Sequence, residues 1–148
     1  MSLRAPLAEF LGTFFLCFAG IASIVCLMPP IGSQMGLVGV ALAHGLALSV
    51  AVSTFGGVSG AHVNPAVTAG MLVTGRIAPK NAVIYVIAQC LGAIAAAAIC
   101  NGVFPAEAVT AGHLGVPPPA EWASQGVVFV MEFVMTFLLV TEIGRAHV

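Results

Sequence analysis

The chain has 148 residues, of which 60% are hydrophobic and only 6% are charged, and its formal net charge is −1. A soluble domain of average composition carries about a quarter charged residues, so this composition excludes an ordinary soluble protein and indicates an integral membrane protein. A charge so close to zero provides no basic face for nucleic acid, and we expect no nucleic-acid partner.

Four apolar segments follow one another along the chain, at about 7–28, 37–55, 82–103 and 125–142. Each of the first three is long enough to cross a hydrocarbon core about 30 Å thick. The first segment is longer than the core of a signal peptide and contains Glu9, so we interpret it as a retained span. The apolar pattern of the fourth segment stops after Val140, and we expect this span to be truncated and too short to cross.

A polar interruption at 57–74 separates the second span from the third. It contains Asn64, a favoured helix N-cap, and then Pro65, which suits the first turn of a helix. The predicted helix runs to Gly75, and its roughly ten residues rise about 15 Å, half the thickness of the hydrocarbon core. The sequence therefore predicts a re-entrant loop and half helix whose N-terminus lies near the membrane midplane.

The basic residues predict the orientation of the chain. Arg4, Arg76 and Lys80 flank one side of the predicted spans, whereas the connections on the other side, near Pro29 and at 105–122, contain neither Lys nor Arg. Because cytoplasmic loops carry the excess of Lys and Arg, we expect the N-terminus to be cytoplasmic.

No residue pattern indicates catalysis or metal binding. The cysteines show neither a CxxC motif nor a Cys/His spacing, and we interpret them as small packing residues. They are Cys17, Cys26, Cys90 and Cys100. No nucleophile–base arrangement accompanies them, so we expect no enzyme activity, no metal and no cofactor.

An internal repeat relates the first span to the fourth. The run EFLGTFFL that begins at Glu9 recurs 123 residues later as EFVMTFLL, beginning at Glu132. The first copy starts on the inside and the second on the outside, which is an inverted-topology repeat. The repeat predicts a second Asn-Pro element beyond residue 148, so we expect residues 1–142 to be an incomplete transmembrane domain.

The run IGRAHV at 143–148 is what a common sequencing adapter encodes in one reading frame, and we expect it to be a non-native tail.

Together these motifs resemble the first half of an aquaporin, a member of the major intrinsic protein family. The matching runs are AEFLGT at 8–13, ALAHGL at 41–46, SGAHVNPAVT at 59–68 and AQCLGA at 88–93, and the resemblance covers about residues 7 to 140. It implies an all-α integral membrane protein with three spans, a re-entrant half helix and part of a fourth span.

The resemblance also implies roles for individual residues. Asn64, Pro65 and Ala66 form the pore motif, and Gly60, Ala61 and His62 provide backbone carbonyls to the pore. Glu9 braces the re-entrant loop through hydrogen bonds, and Glu132 does the same for a second loop. His44 matches the outer selectivity constriction. The expected apolar pore wall comprises Leu16, Leu48, Val67 and Leu139.

Other interpretations of the same residues remain open. Asn64 can act only as a helix cap, and Glu9 can act as a proton relay. His44 can be a histidine whose hydrogen bonds are made between helices, and the leucines of the expected pore wall can be ordinary core residues. Histidine at position 44, where water-specific members often carry Phe, admits ammonia or small uncharged solutes.

The function that the resemblance implies is passive conduction of water across the inner or plasma membrane by a homotetramer of the longer protein. The alternatives are a facilitator for glycerol, ammonia or another small neutral solute, and a non-conducting fragment. A secondary transporter with inverted repeats is disfavoured because no ion-coordinating cluster accompanies the broken helix.

Overall fold

The computed structural model describes residues 3–145, and every regular element in that range is helical. The long helices are α1 (Arg4–Val25), α2 (Gly36–Ser59), α4 (Pro79–Val103) and α6 (Gln125–Arg145), and the short ones are α3 (Pro65–Val73) and α5 (Ala106–Ala111). A single 3-10 turn at His113–Gly115 follows α5. The predicted all-α class is confirmed.

Four helices are long and apolar enough to cross a membrane: Arg4–Val25, Gly36–Ser59, Pro79–Val103 and Gln125–Gly144. The expectation that the fourth span is too short is therefore wrong by length and composition. Thr141 and Glu142 do not interrupt α6, because the Thr141 hydroxyl donates to the Phe137 carbonyl (2.8 Å) and the helix continues. The tail assignment at 143–148 stays a prediction: α6 reaches Arg145, and residues 146–148 lie outside the described residues.

Two spans begin earlier than their apolar patterns indicate. α1 starts at Arg4 with Pro6 in its first turn, and α4 starts with Pro79 at its first helical position. Proline is tolerated there because the first N–H groups of a helix have no partner within the helix.

The half helix α3 has nine residues and is about 14 Å long. Asn64 is extended (φ −155°, ψ 128°), and its side-chain Oδ1 accepts a hydrogen bond from the Ala66 N–H at 2.8 Å. The helix ends two residues before Gly75, which has a left-handed φ of 72° and turns the chain toward α4. The predicted cap, start and stop thus agree closely with the structure.

The loop before α3 is shorter than predicted. Residues 57–59 continue α2, and the irregular segment begins only at Gly60, whose φ of 90° ends the helix while its N–H donates to the Gly56 carbonyl. Glycine adopts this left-handed conformation at no steric cost, whereas Gly57 costs the helix about 1 kcal/mol without breaking it.

The helix α1 packs between α2 and α4, and α3 packs against α4 and α6. The helices α1 and α4 approach each other closely at Gly92, where an added Cβ would overlap the Phe10 carbonyl and approach the Phe14 N–H. A small residue at the crossing lets two backbones meet, as in other membrane helix pairs. Among the helices of residues 3–145, α6 contacts only α3.

The connection from α4 to α6, predicted as a loop, contains α5 and the 3-10 turn. Val25 at the end of α1 packs with Ala108 and Val109 of α5, which are buried. A helix of six residues is stable only through packing. The helix α5 forms because its apolar side chains pack against the end of α1.

Candidate pore-lining site

The carboxylate of Glu9 is fully buried and accepts four hydrogen bonds. Its Oε1 accepts from the Ser59 hydroxyl (2.6 Å) and the His62 N–H (3.0 Å). Its Oε2 accepts from the Val63 N–H (2.7 Å) and from Gln89 Nε2 (2.7 Å). A buried carboxylate costs least when donors fill its lone pairs. The surroundings therefore favour the bracing role over a proton relay, because each of these groups donates to Glu9.

This bracing fixes the direction of the loop carbonyls. The N–H groups of His62 and Val63 point at Glu9, and the Ala61 N–H points at the Ser59 hydroxyl (3.1 Å). In a trans peptide the C=O lies opposite the N–H of the next residue. The carbonyls of Gly60, Ala61 and His62 must therefore face away from the Ser59–Glu9 pair.

The loop backbone is strained, and the same hydrogen bonds hold it. Ala61 and Val63 have φ values of 46° and 41°, in the left-handed region that β-branched residues rarely adopt. Such conformations cost about 1–3 kcal/mol each and persist where the surroundings impose them. Here Glu9 imposes the left-handed conformation of Val63 by accepting a hydrogen bond from its N–H.

A further layer of polar side chains supports Glu9 and α3. Gln89, only 1% exposed, donates to Glu9 and also to Thr68 Oγ1 (2.9 Å). Thr68 donates its own hydroxyl proton to the Asn64 carbonyl (3.2 Å). Its single proton is then used, so His62 Nδ1, 3.1 Å away, is the donor of the His62–Thr68 hydrogen bond. The network thereby selects the Nδ1–H form of His62.

Tyr85 completes this layer from α4. Its hydroxyl donates to the Ser59 carbonyl (2.8 Å), and its ring meets the His62 ring edge-on with centroids 5.3 Å apart. Sequence reasoning assigned no role to Ser59, Thr68, Tyr85 or Gln89. The available signal was that polar side chains within membrane spans rarely lack a partner or function.

The amide oxygen of Asn64 is hydrogen-bonded within the protein, whereas its NH₂ group has no hydrogen-bond acceptor among residues 3–145. Its oxygen accepts the Ala66 N–H and caps α3, so the Nδ2 donors point away from that hydrogen bond at the start of the half helix. Asn64 is half-buried, and Pro65 and Ala66 next to it are exposed. The capping and pore interpretations of Asn64 are thus compatible.

His44 lines a cavity of about 570 Å³ at the end of the bundle where α1 finishes. Its other walls are formed by the end of α1, by Met28 just after that helix, and by the segment from Ala111 to Pro118. The imidazole Nδ1 lies 2.8 Å from the Val40 carbonyl, to which it must donate. His44 is therefore bonded within its own helix while its side chain stays exposed to the cavity.

The four residues expected in the apolar wall do not all lie together. Leu48 and Leu139 share a cavity of about 310 Å³ between α2 and α6. Leu16 packs with Leu48 against the re-entrant loop. Val67 is fully buried and packs near Leu139 instead of facing a cavity.

Glu132 lies in different surroundings from its repeat partner Glu9. It is exposed on α6, in a groove that it shares with Phe129, Phe133 and Phe137. Within residues 3–145 no hydrogen bond reaches its carboxylate. The expected bracing of a second loop therefore stays a prediction.

The structure defines an α-helical, multi-pass membrane protein. Four of its helices have membrane length, and a half helix that starts after a braced loop lies between the second and third of them. A family model described as "Major intrinsic protein" matches residues 1–146. The chain belongs to the major intrinsic protein family, and the predicted resemblance is confirmed.

Relatives with about two-fifths identity carry several names. The chain is 40% identical to "Glycerol uptake facilitator protein-like 6" of Lactiplantibacillus plantarum over 95% of its own length and 62% of the relative's. It is 40% identical to "Aquaporin Z" of Rhodopseudomonas palustris, over 99% of this chain and 64% of the relative. With "Aquaporin TIP2-1" of Arabidopsis thaliana it shares 43% identity, over 94% of this chain and 55% of the relative. The chain thus spans less than two thirds of the length of these relatives.

Proposed function

We propose that this chain forms one part of the wall of a passive channel for water, and that the full-length product of the parent gene completes the pore. The observation that carries the proposal is the Glu9-braced loop. It directs the carbonyls of Gly60, Ala61 and His62 to one side and presents the Asn64 amide next to the start of α3. Irregular backbone at membrane depth is tolerated only where it is buried in protein or lines a wet cavity, and in this proposal the loop carbonyls face such a cavity.

In this proposal the same geometry also excludes ions. The start of α3 carries the positive end of a helix dipole, which repels cations. The Nδ2 donors of Asn64 bind the oxygen of a passing water and orient it, which interrupts proton relay along a water file. The carbonyls of the loop accept hydrogen bonds from water.

A facilitator for glycerol, ammonia or another small neutral solute is the second candidate. His44 favours it, because a polar imidazole lines the cavity at the proposed constriction. One relative is named a glycerol uptake facilitator-like protein. The two functions are distinguished by measuring the permeation rates of water, glycerol and ammonia through the full-length channel and through its His44→Phe variant. If the variant had unchanged selectivity, His44 would not be part of the selectivity filter.

We further propose a homotetramer of the full-length protein in the inner or plasma membrane, with the N-terminus in the cytoplasm. The positions of Arg4, Arg76 and Lys80 support this orientation. The tetramer rests on the family resemblance.

Stopped-flow shrinkage of proteoliposomes tests the channel. The full-length protein is expected to accelerate water efflux, whereas vesicles with the 148-residue chain behave like empty vesicles. Efflux through the 148-residue chain alone, or none through the full-length protein, contradicts the proposal.

Asn64→Asp is the variant matched to this test. Aspartate is as good an N-cap as asparagine, so α3 is retained while the amide donors are replaced by a negative charge. We expect the full-length variant to fold as the wild type but to leak protons or cations, measured with a pH dye inside the vesicles. Unchanged exclusion would show that Asn64 acts as a cap only.

A further inference from the structure

The imidazole of His44 rests against a place on α1 that has no side chain. Gly20 is buried, and a Cβ added to it would lie 2.5 Å from His44 Nε2, 3.1 Å from Cδ2 and 3.2 Å from Cε1. Real Cβ atoms essentially never approach other atoms closer than 3.0 Å. The ring can occupy its present position only because residue 20 is glycine.

A second contact holds the other side of the ring. Nδ1 donates to the Val40 carbonyl at 2.8 Å, so in the neutral imidazole the proton is on Nδ1 and Nε2 carries the lone pair. The ring is thus fixed at two points, by a hydrogen bond within α2 and by the notch at Gly20 of α1.

We propose that Gly20 is a positioning residue for solute selection: its notch holds the His44 ring against α1 and keeps the adjoining cavity open. This inference rests on the proposed role of His44 in selecting solutes. Gly20 does not contact the solute; it acts through the position of the imidazole.

The effect of adding a methyl group at Gly20 follows from what it meets. The nearest atoms belong to the far end of a flexible side chain, so the ring can rotate away while α1 and α2 keep their packing. A displaced ring gives up the Val40 hydrogen bond and enters the cavity of about 570 Å³ that it now borders. A narrower cavity hinders glycerol more than water.

The first test needs only this chain in detergent micelles. The ¹⁵N NMR signals of the His44 ring, identified by their absence in His44→Ala, should show the Nδ1–H tautomer in the wild type and lose it in Gly20→Ala. Gly45→Ala is the matched control, since it lies next to His44 and its added Cβ meets nothing within 4 Å. An unchanged ring signal in Gly20→Ala overturns the proposal.

The second test measures the ratio of glycerol to water permeability in the full-length channel. We expect the ratio to fall severalfold in Gly20→Ala and to stay unchanged in Gly45→Ala. In a His44→Ala background, Gly20→Ala should have no further effect, because the ring through which it acts is gone. A loss of equal size in that background overturns the proposal.

The two tests also separate the two ways of failing. If the ring moves and His44→Ala changes the ratio but Gly20→Ala does not, the positioning proposal fails alone. If the ring moves and neither variant changes the ratio, the proposed role of His44 in selection is wrong, and the inference falls with it.

Discussion

Glu9 and Glu132 begin matching runs of one internal repeat, yet the structure gives them opposite surroundings. Glu9 is buried under four donors, two of which are backbone N–H groups of the loop. Glu132 is exposed beside a row of phenylalanines. The same residue type in the same local sequence thus braces a loop at Glu9, whereas no loop within residues 3–145 donates a hydrogen bond to Glu132.

Replacing Glu9 by Gln should strongly destabilise the protein. One carboxylate oxygen becomes an NH₂ group that faces donors, and the charge that strengthened the hydrogen bonds is lost. Breaking a buried, charged network costs about 3 kcal/mol. Thermal unfolding of the purified chain in detergent, followed by circular dichroism, measures this loss.

The repeat supplies the control for this prediction. Glu132→Gln makes the same chemical change at an exposed position and should alter the free energy of unfolding by less than about 0.5 kcal/mol. Equal destabilisation by the two substitutions would contradict the assignment of the bracing role to Glu9.

Among the elements, those with local signals could be predicted from sequence. The cap at Asn64, the proline at the first position and the glycine stop define α3 within a few residues. The element α5 could not be predicted, because its six residues form a helix only by packing against the end of α1. Gly57 gave a misleading signal, since glycine weakens a helix without ending it.

The contacts around Glu9 depend on long-range packing and carry no local signal. Ser59, Tyr85 and Gln89 come from two helices, and each is far from its partner in sequence. Their polarity within apolar spans indicates that partners exist but not which ones. The resemblance to a known family supplied the role of Glu9, and the structure supplied the donors.

Gly92 lies where the backbones of α1 and α4 come close together. We expect Gly92→Ala to destabilise the chain by about 1–3 kcal/mol, because the new methyl group meets the backbone of α1, which cannot move aside as a side chain can. Unfolding of the purified chain in a denaturing detergent titration measures the change.

Gly102→Ala is the control on the same helix, since a Cβ there meets nothing within 4 Å. Alanine is the better helix former, so this variant should be neutral or up to about 1 kcal/mol more stable. If the two alanine variants behaved alike, the close approach would not limit the packing of these helices.

For the whole molecule, burial is uneven. In the most apolar 18-residue stretch of each helix, 39% of the residues of α1 are buried inside the protein. The corresponding share is 6% for α2 and 6% for α6. Among the described helices α6 packs on α3, and near its end the Gly144 carbonyl accepts a hydrogen bond from the Arg76 guanidinium. The chain therefore consists of a packed unit built on α1 and α4, with α6 at its margin.

Hydrogen exchange in detergent micelles should reveal this difference. We expect the amides of α6 to exchange faster than those of α4, because local opening of α6 breaks few contacts. Mass spectrometry of peptides from the two helices measures the rates. Equal protection of both helices would contradict the marginal position of α6.

All the partners of Glu9 lie between Ser59 and Gln89, so the brace is complete once α4 has entered the membrane. The helix α6 has not yet entered the membrane at that moment, because it follows α4 in the chain. The re-entrant loop can therefore fold during synthesis, before the later segments insert. Those segments then pack against a loop that is already folded.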